Sequence, residues 1–576
     1  MAPDNRSSGR WGGAWDGDTW SWGVWAPDAV AAAIVLNGTE MALTRRDDGF
    51  WVATAAAKPG DQYHVEIDGR RLTDPASRLQ AGDVHAPSVV MGRSDYQWQT
   101  PWHGRDWAEA VIYEMHIGTF TPEGTLAAAA TKLAGLADLG ITAIELMPIG
   151  QWPGDRGWGY DGVLPYALHP AYGRPDDLRR FVDHAQSVGL MVILDMVMNH
   201  FGPEGAGMHH IAPRFFDTER QTPWGAAIDF SQPAVREYWL QCAEYWVAKY
   251  RLDGVRLDAV HQISGPGADG FMHDLAQRVR AADPARTIHL ITEDERNDPH
   301  LCETGYDAQW NDDFHHAVHC QLTGEGGSFL ASFAKDPMAD LALALQRGQV
   351  EEGQPRHGQD RPRGKPSGHL PPTAFVNFLQ SHDHTGNRPG GERLLALAAE
   401  DGVRTAYALL LTAPYVPMIF MGEERGATTP FLFFADFDGE LADQIREGRA
   451  NDFAGLGNAA ADIPDALSAE AFVRSKLTWH DDPNARNWRD LTRRALAFRA
   501  DRVVPLLKSG RSAPAHVTRH GASSLAAEWH FHAGTMNLWL SMGDVAQDWS
   551  PPPDQAFHLG RLGQDPFAIS VTTRPR

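Results

Sequence analysis

Four acidic residues stand where short apolar runs give out. They are Asp195 in AspMetValMetAsnHis (195–200), Asp258 in ArgLeuAsp (256–258), Glu293 in IleThrGluAsp (291–294) and Asp383 in SerHisAsp (381–383). Each alone reads as a capping or loop carboxylate, because Asp and Asn often cap the helix that follows a strand. Four of them at the exits of four apolar runs describe a carboxylate-lined pocket. Breaking a glycosidic bond needs two such groups, one to protonate the leaving oxygen and one to meet the anomeric carbon. The two must differ in protonation although their ordinary pKa values are close. Arg256, two residues before Asp258 on the same strand face, keeps that carboxylate ionised. Glu293, on the next strand, then faces a negative neighbour that favours its protonated form. On this basis Asp258 is the expected nucleophile and Glu293 the general acid/base.

The elements that must position these groups alternate strand and helix. Strands are expected at Val111–Gly118, Ile141–Pro148, Met191–Met198, Gly254–Val260, Ile288–Glu293, Asp307–Trp310, Thr373–Leu379 and Val416–Met421. Helical patterns lie between them, at Thr125–Leu139 with Gly140 as C-cap, Asp176–Ser187, Gln232–Tyr250 and Met272–Ala282. Eight strands separated by helices predict an α/β fold, a (β/α)8 TIM barrel, whose catalytic groups project from the C-terminal strand ends. A last amphipathic helix, Asn484–Arg499, closes it. Gly348–Pro372 and Glu423–Phe437 read as long binding loops or lids.

Outside this frame the texture is β. Trp20–Trp25, Ala31–Leu36, Phe50–Thr54 and Tyr63–Ile67 are short runs punctuated by turn signals. They predict an N-terminal immunoglobulin-like β-sandwich over residues 1–95, with the catalytic barrel over 96–503 and a small C-terminal β-domain over 504–576. Trp11, Trp15, Trp20, Trp22 and Trp25 are either sandwich core or a sugar platform, and core is the better reading for a β-domain.

The four acidic motifs, in this order and spacing, resemble the α-amylase superfamily of glycoside hydrolases. TrpGlyTyrAsp (158–161) and MetGlyGluGlu (421–424) extend the likeness over most of the chain. The resemblance implies a retaining mechanism, with Asp258 as nucleophile, Glu293 as acid/base and Asp383 as the carboxylate that grips the sugar hydroxyls. It implies that His200 and His382 hydrogen-bond the same glucose, that Tyr160 stacks on it, and that Asp195 and Arg256 orient the nucleophile. Within the superfamily the chain is most similar to the malto-oligosyltrehalose trehalohydrolases. The segments behind this are TyrGluMetHisIleGlyThrPheThrProGluGlyThr (113–125), GluAspGluArgAsnAsp (293–298), AlaGlnTrpAsnAspAspPheHisHis (308–316) and ThrProPheLeuPhePheAlaAsp (429–436). The implied substrate is maltooligosyltrehalose or a related α-1,4-glucan, and a maltooligosyltrehalose synthase is the implied pathway partner. Glucan branching enzymes and isoamylase-type debranching enzymes share the three carboxylates and stand as alternatives. A non-catalytic glucan-binding protein would be expected to lack one.

Trp310, Asp312, Asp313 and Glu424 are candidates for trehalose recognition, on loops after the sixth and eighth strands. The chain departs from the superfamily pattern at His384, where Gln is usual, and at Arg425, where an aromatic is common; both fall on loops read as exposed. Asn199 matches a calcium ligand of many amylases, but the segment after it offers few further oxygens, and His209 and His210 read as loop residues. No metal and no cofactor are expected. A formal net charge of -23 disfavours nucleic-acid and anionic-membrane partners. Cys242, Cys302 and Cys320 have no paired spacing, which suits reduced thiols. The polar stretch Met1–Gly17 lacks the apolar core of a signal peptide, so the cytoplasm is the expected compartment. The apolar run Ala406–Met421, broken by Pro414 and Pro417, reads as a helix end followed by a strand.

Overall fold

The computed structural model describes residues 10–16, 19–327, 330–452, 464–543 and 556–575 of the 576-residue chain. Most of the polar N-terminal stretch read for a signal peptide lies outside them. The centre is a closed barrel of eight parallel strands in sequential order: Ile112–Met115, Ala143–Leu146, Met191–Met196, Gly254–Leu257, His289–Thr292, Ala308–Trp310, Phe375–Phe378 and Val416–Phe420. All eight expected strands are present, each shorter than its apolar run. Asp258 and Glu293 fall just past the ends of the fourth and fifth strands, while Asp195 and Arg256 lie within theirs.

Strand alternation explains how the barrel interior changes character along its axis. Residues two apart share a face. Ile112, Ala143, Ile193 and Ile291 belong to one buried apolar cluster with Val376, Phe378 and Met418. Two residues further along the same faces stand Glu114, Glu145, Asp195 and Glu293. The barrel is therefore apolar near the strand starts and charged toward the exits.

The helices have identifiable stops and starts. Leu126–Leu139 opens with the Thr125 hydroxyl accepting from the Ala128 amide and closes on Gly140, left-handed at φ 102°. Pro175–Ser187, Pro233–Tyr250 and Pro483–Phe498 each begin with proline at the first helical position. The run from Ala406 to Met421 resolves into the end of helix Glu400–Thr412 and the eighth strand.

Two antiparallel sheets precede the barrel. One contains Gly12–Asp16, Thr19–Trp25, Phe50–Ala55 and Thr44–Arg45; the other contains Thr39–Ala42, Ala32–Leu36, Gln62–Ile67 and Arg70–Leu72. Trp20, Trp22 and Trp25 are buried, and Trp20 and Trp22 meet edge to face at 6.5 Å, so they are core. Trp11 joins this unit to the barrel. It is fully buried, donates from its indole to the Ala234 carbonyl at 2.8 Å and meets Tyr238 edge-on at 5.1 Å. A five-stranded antiparallel sheet ends the chain, and its Trp529 donates to the Leu345 carbonyl of the barrel layer at 3.1 Å. Among the described residues no helix is long and apolar enough to cross a membrane. Cys242, Cys302 and Cys320 are free thiols.

Candidate functional site

Strand register brings the two central carboxylates together. Arg256 lies opposite Asp195 on one side and Ile291 on the other. Just beyond this paired stretch the Asp258 amide donates to the Met196 carbonyl at 3.1 Å, and the Glu293 amide to the Leu257 carbonyl at 3.0 Å. The backbone then turns sharply at Ala259, whose φ of 42° is left-handed for a residue with a Cβ. That turn aims the Ala259 amide at Glu293 Oε2, 2.7 Å away.

One guanidinium organises the cluster. Arg256, without exposed surface, lies 2.8 Å from Asp195, 3.0 Å from Asp258 and 3.8 Å from Glu293. Its other face rests on the Trp310 ring at 4.1 Å. Asp195 also accepts from the Tyr160 hydroxyl at 2.6 Å, and burial pushes it up to about 6. Burial, followed by the Asp258 and Asp312 charges, holds Glu293 well above the usual carboxylate range against the pull of Arg256. Burial is thus a larger cause than the negative neighbour Asp258.

Asp383 lies in the short helix His382–Gly386, capped by the Ser381 hydroxyl, and is half exposed to the cleft. Asn387 donates to it at 3.1 Å and His382 Nε2 lies 3.5 Å away. Burial opposes its charge, but the neighbouring His382, His384 and Arg256 outweigh that and lower its pKa. His382 is fully enclosed, with Nδ1 against the Glu114 carboxylate and its ring stacked on Tyr160 at 4.9 Å. Burial works against a charged His382, yet Asp383 and Glu114 together raise it to about 9. Glu114, on the first strand, also accepts the His382 amide at 3.0 Å. Sequence reading missed it, although its place two residues beyond Ile112 on an inward face was available.

The remaining predicted residues divide by accessibility. His200 is buried, with Nε2 3.0 Å from the Tyr160 carbonyl and Nδ1 3.0 Å from Asn199, so both nitrogens are held by protein. Trp224, 47% exposed, stacks over it at 4.3 Å and offers an aromatic face to the cleft that sequence reading missed. Asp312 keeps an accessible carboxylate beside the cleft, pushed up to about 7 by burial. Its fellow candidates do not. Trp310 is enclosed beneath Arg256. Asp313 accepts from Val350, Glu351 and Asn297 at 2.8 Å each and from Arg363 at 3.0 Å, so it anchors a loop. Glu424 is buried against the Tyr113 hydroxyl and the Gly422 amide. Their burial leaves these three no surface for a sugar.

Two further readings are corrected. Arg425 is buried, with its guanidinium over the Trp479 ring at 4.4 Å. His384 packs against His315 with ring centroids 3.9 Å apart. Neither lies on an exposed loop. The segment Gly348–Pro372 is pinned by ion pairs of Arg356 and Arg363 with Asp340, Asp313 and Glu351. It walls a cavity of about 540 Å³ lined by His261, Glu295, Arg296, Asp298, Arg361 and Lys365. Two of its lining residues, His261 and Glu295, follow Asp258 and Glu293 in the chain by three and two residues.

The Alpha-amylase family model, described as the alpha amylase catalytic domain, matches residues 89–212. The malto-oligosyltrehalose trehalohydrolase of Deinococcus radiodurans is 39% identical over 494 residues, 84% of this chain and 81% of the relative. A 1,4-alpha-glucan branching enzyme from Bacillus caldolyticus is 32% identical over only half of each chain. A crystal structure of a Salmonella typhimurium protein described as an alpha amylase superposes with a TM-score of 0.94 at 41% identity, covering 98% of this chain and 99% of that one. With these shared residues running through sandwich, barrel and terminal sheet, the chain belongs to the malto-oligosyltrehalose trehalohydrolase family of the α-amylase superfamily.

Proposed function

We propose that this protein hydrolyses the α-1,4-glucosidic bond next to the terminal trehalose of maltooligosyltrehalose, with Asp258 as nucleophile and Glu293 as acid/base. The observation that carries this reading is the single buried guanidinium facing an aspartate at 3.0 Å and a glutamate at 3.8 Å, with burial favouring the proton on the glutamate. The Asp258 carboxylate attacks the anomeric carbon as the bond to the leaving oxygen breaks, and Glu293 delivers its proton to that oxygen, freeing trehalose. Glu293, now ionised, takes a proton from water as that water displaces Asp258, and the maltooligosaccharide leaves with its α configuration retained. Asp383 grips the glucose at the cleavage subsite with the enclosed His382 behind it, while Tyr160 and Trp224 supply aromatic faces. Asp195 and Arg256 hold the nucleophile in place.

The leaving trehalose is assigned to the polar cavity lined by His261 and Glu295, and to Asp312, because its α,α-1,1 linkage needs hydroxyl-directed groups beyond the cleaved bond. The substrate requires an enzyme that turns a reducing glucan end into an α,α-1,1 linkage, the role of a maltooligosyltrehalose synthase. The test is incubation with maltotriosyltrehalose, maltopentaose and glycogen, followed by separation of products. Free trehalose from the first substrate as the main product is expected. Chain transfer without net hydrolysis would replace this reading with branching.

A further inference from the structure

His384, one of the residues at which the chain leaves its superfamily's motif, completes a cluster of three imidazoles. His315 and His316 lie on helix Asp312–Thr323, and His384 lies on the short helix that carries Asp383. Each offers a ring nitrogen, and the three nitrogens lie within 4.8 Å of one another. This is the single grouping of three or more His, Cys, Asp or Glu ligand atoms at such spacing among the described residues.

The surroundings of two of the rings, His315 and His384, match those of metal ligands. A ligating histidine is oriented by the hydrogen bond of its other nitrogen, usually to a carbonyl or another oxygen. His315 Nδ1 donates to the Leu379 carbonyl at 2.7 Å, which leaves Nε2 as the lone-pair nitrogen. His384 Nδ1 is held by the Ser381 hydroxyl at 2.8 Å. Its Nε2 faces Asp312 Oδ1 across 3.6 Å, too far for a direct hydrogen bond and suited to a shared cation. Nitrogens about 2.0–2.1 Å from one tetrahedral ion stand about 3.3–3.4 Å apart, so each ring needs to swing inward by less than about 1 Å. The partly accessible His384 and Asp312 give the ion a path from the cleft.

From this geometry we infer that His315, His316 and His384 form a binding site for a borderline divalent transition-metal ion of the Zn2+ class, with Asp312 or water as fourth ligand. Imidazole nitrogens select such ions over Ca2+ and Mg2+, which want oxygens. The ion cross-links the helix bearing Asp312 to the helix bearing Asp383, one residue from that carboxylate.

The test uses the full-length protein, stripped with chelator and titrated with Zn2+ by calorimetry, beside His384→Gln, His315→Gln and His316→Gln. One Zn2+ per chain is expected, with affinity falling by more than about 100-fold in each variant. Co2+ loaded in its place is expected to show the visible absorption of a tetrahedral site, and X-ray absorption on Zn2+-loaded wild type to show three imidazoles. Binding that the variants retain, no binding by the wild type, or a first shell with fewer than three imidazoles overturns the site. None of these readouts depends on glycoside cleavage, so the result stands apart from the functional proposal.

Discussion

His382 is charged where no water reaches it, and that makes its contribution to stability depend on pH. The ring is 1% exposed and lies between Glu114 and Asp383, which raise its pKa from 6.5 to about 9. A histidine raised in the folded state adds stability that is full below its unfolded pKa and vanishes as pH rises through the folded value. From 6.5 and about 9 the contribution works out at roughly 2.5 kcal/mol near pH 7 and roughly 0.2 kcal/mol near pH 9.5. His382→Asn removes it while leaving the backbone amide that Glu114 accepts. Across a chain of this length the loss near pH 7 corresponds to about 2–3 °C in Tm. Thermal unfolding of variant and wild type, followed by calorimetry from pH 6 to pH 10, is the assay. The Tm gap should be widest at the acid end and close above pH 9. A gap that stays constant across the range, or widens with pH, refutes the buried imidazolium.

The other expectations concern the chemistry. Glu293→Gln should lower kcat on maltotriosyltrehalose by about 10²–10⁴-fold. A substrate whose leaving group needs no proton should lose far less in the bond-breaking step, and equal losses on both would remove Glu293 as the acid. Asp312 raises the Glu293 pKa, so Asp312→Asn should move the alkaline limb of the kcat/KM profile to lower pH, because the active form is the protonated one. An unmoved limb, measured by trehalose release across pH, means that Asp312 is not coupled to the acid. The maltooligosaccharide released should appear first as its α anomer in proton NMR, and an initial β anomer would rule out double displacement.

The barrel was legible because its strands are apolar runs with a charged residue at the exit, and the same feature exposed Asp195, Asp258, Glu293 and Asp383. What the sequence could not show was which face each side chain takes after the strand ends. Trp310, Asp313 and Glu424 sit at the same chain positions as true rim residues, yet each turns inward. Arg256 draws Trp310 beneath it, Asp313 gathers the amides of Val350 and Glu351, and Tyr113 holds Glu424. Each of these partners is remote along the chain or on another strand, so no local pattern announces it. Glu114 was hidden for the opposite reason, because it lies inside a strand that reads as plain core. His384 looked like an exposed loop residue, since the histidine rings it meets belong to a helix more than 60 residues earlier.

The account stands or falls on which side chain becomes bonded to sugar. Glu293→Gln, incubated with a maltooligosyl fluoride, should accumulate a glycosyl ester, and peptide mass spectrometry should find the added mass on Asp258. Label on any other residue, or cleavage that proceeds unimpaired with Asp258 replaced by Asn, would contradict it.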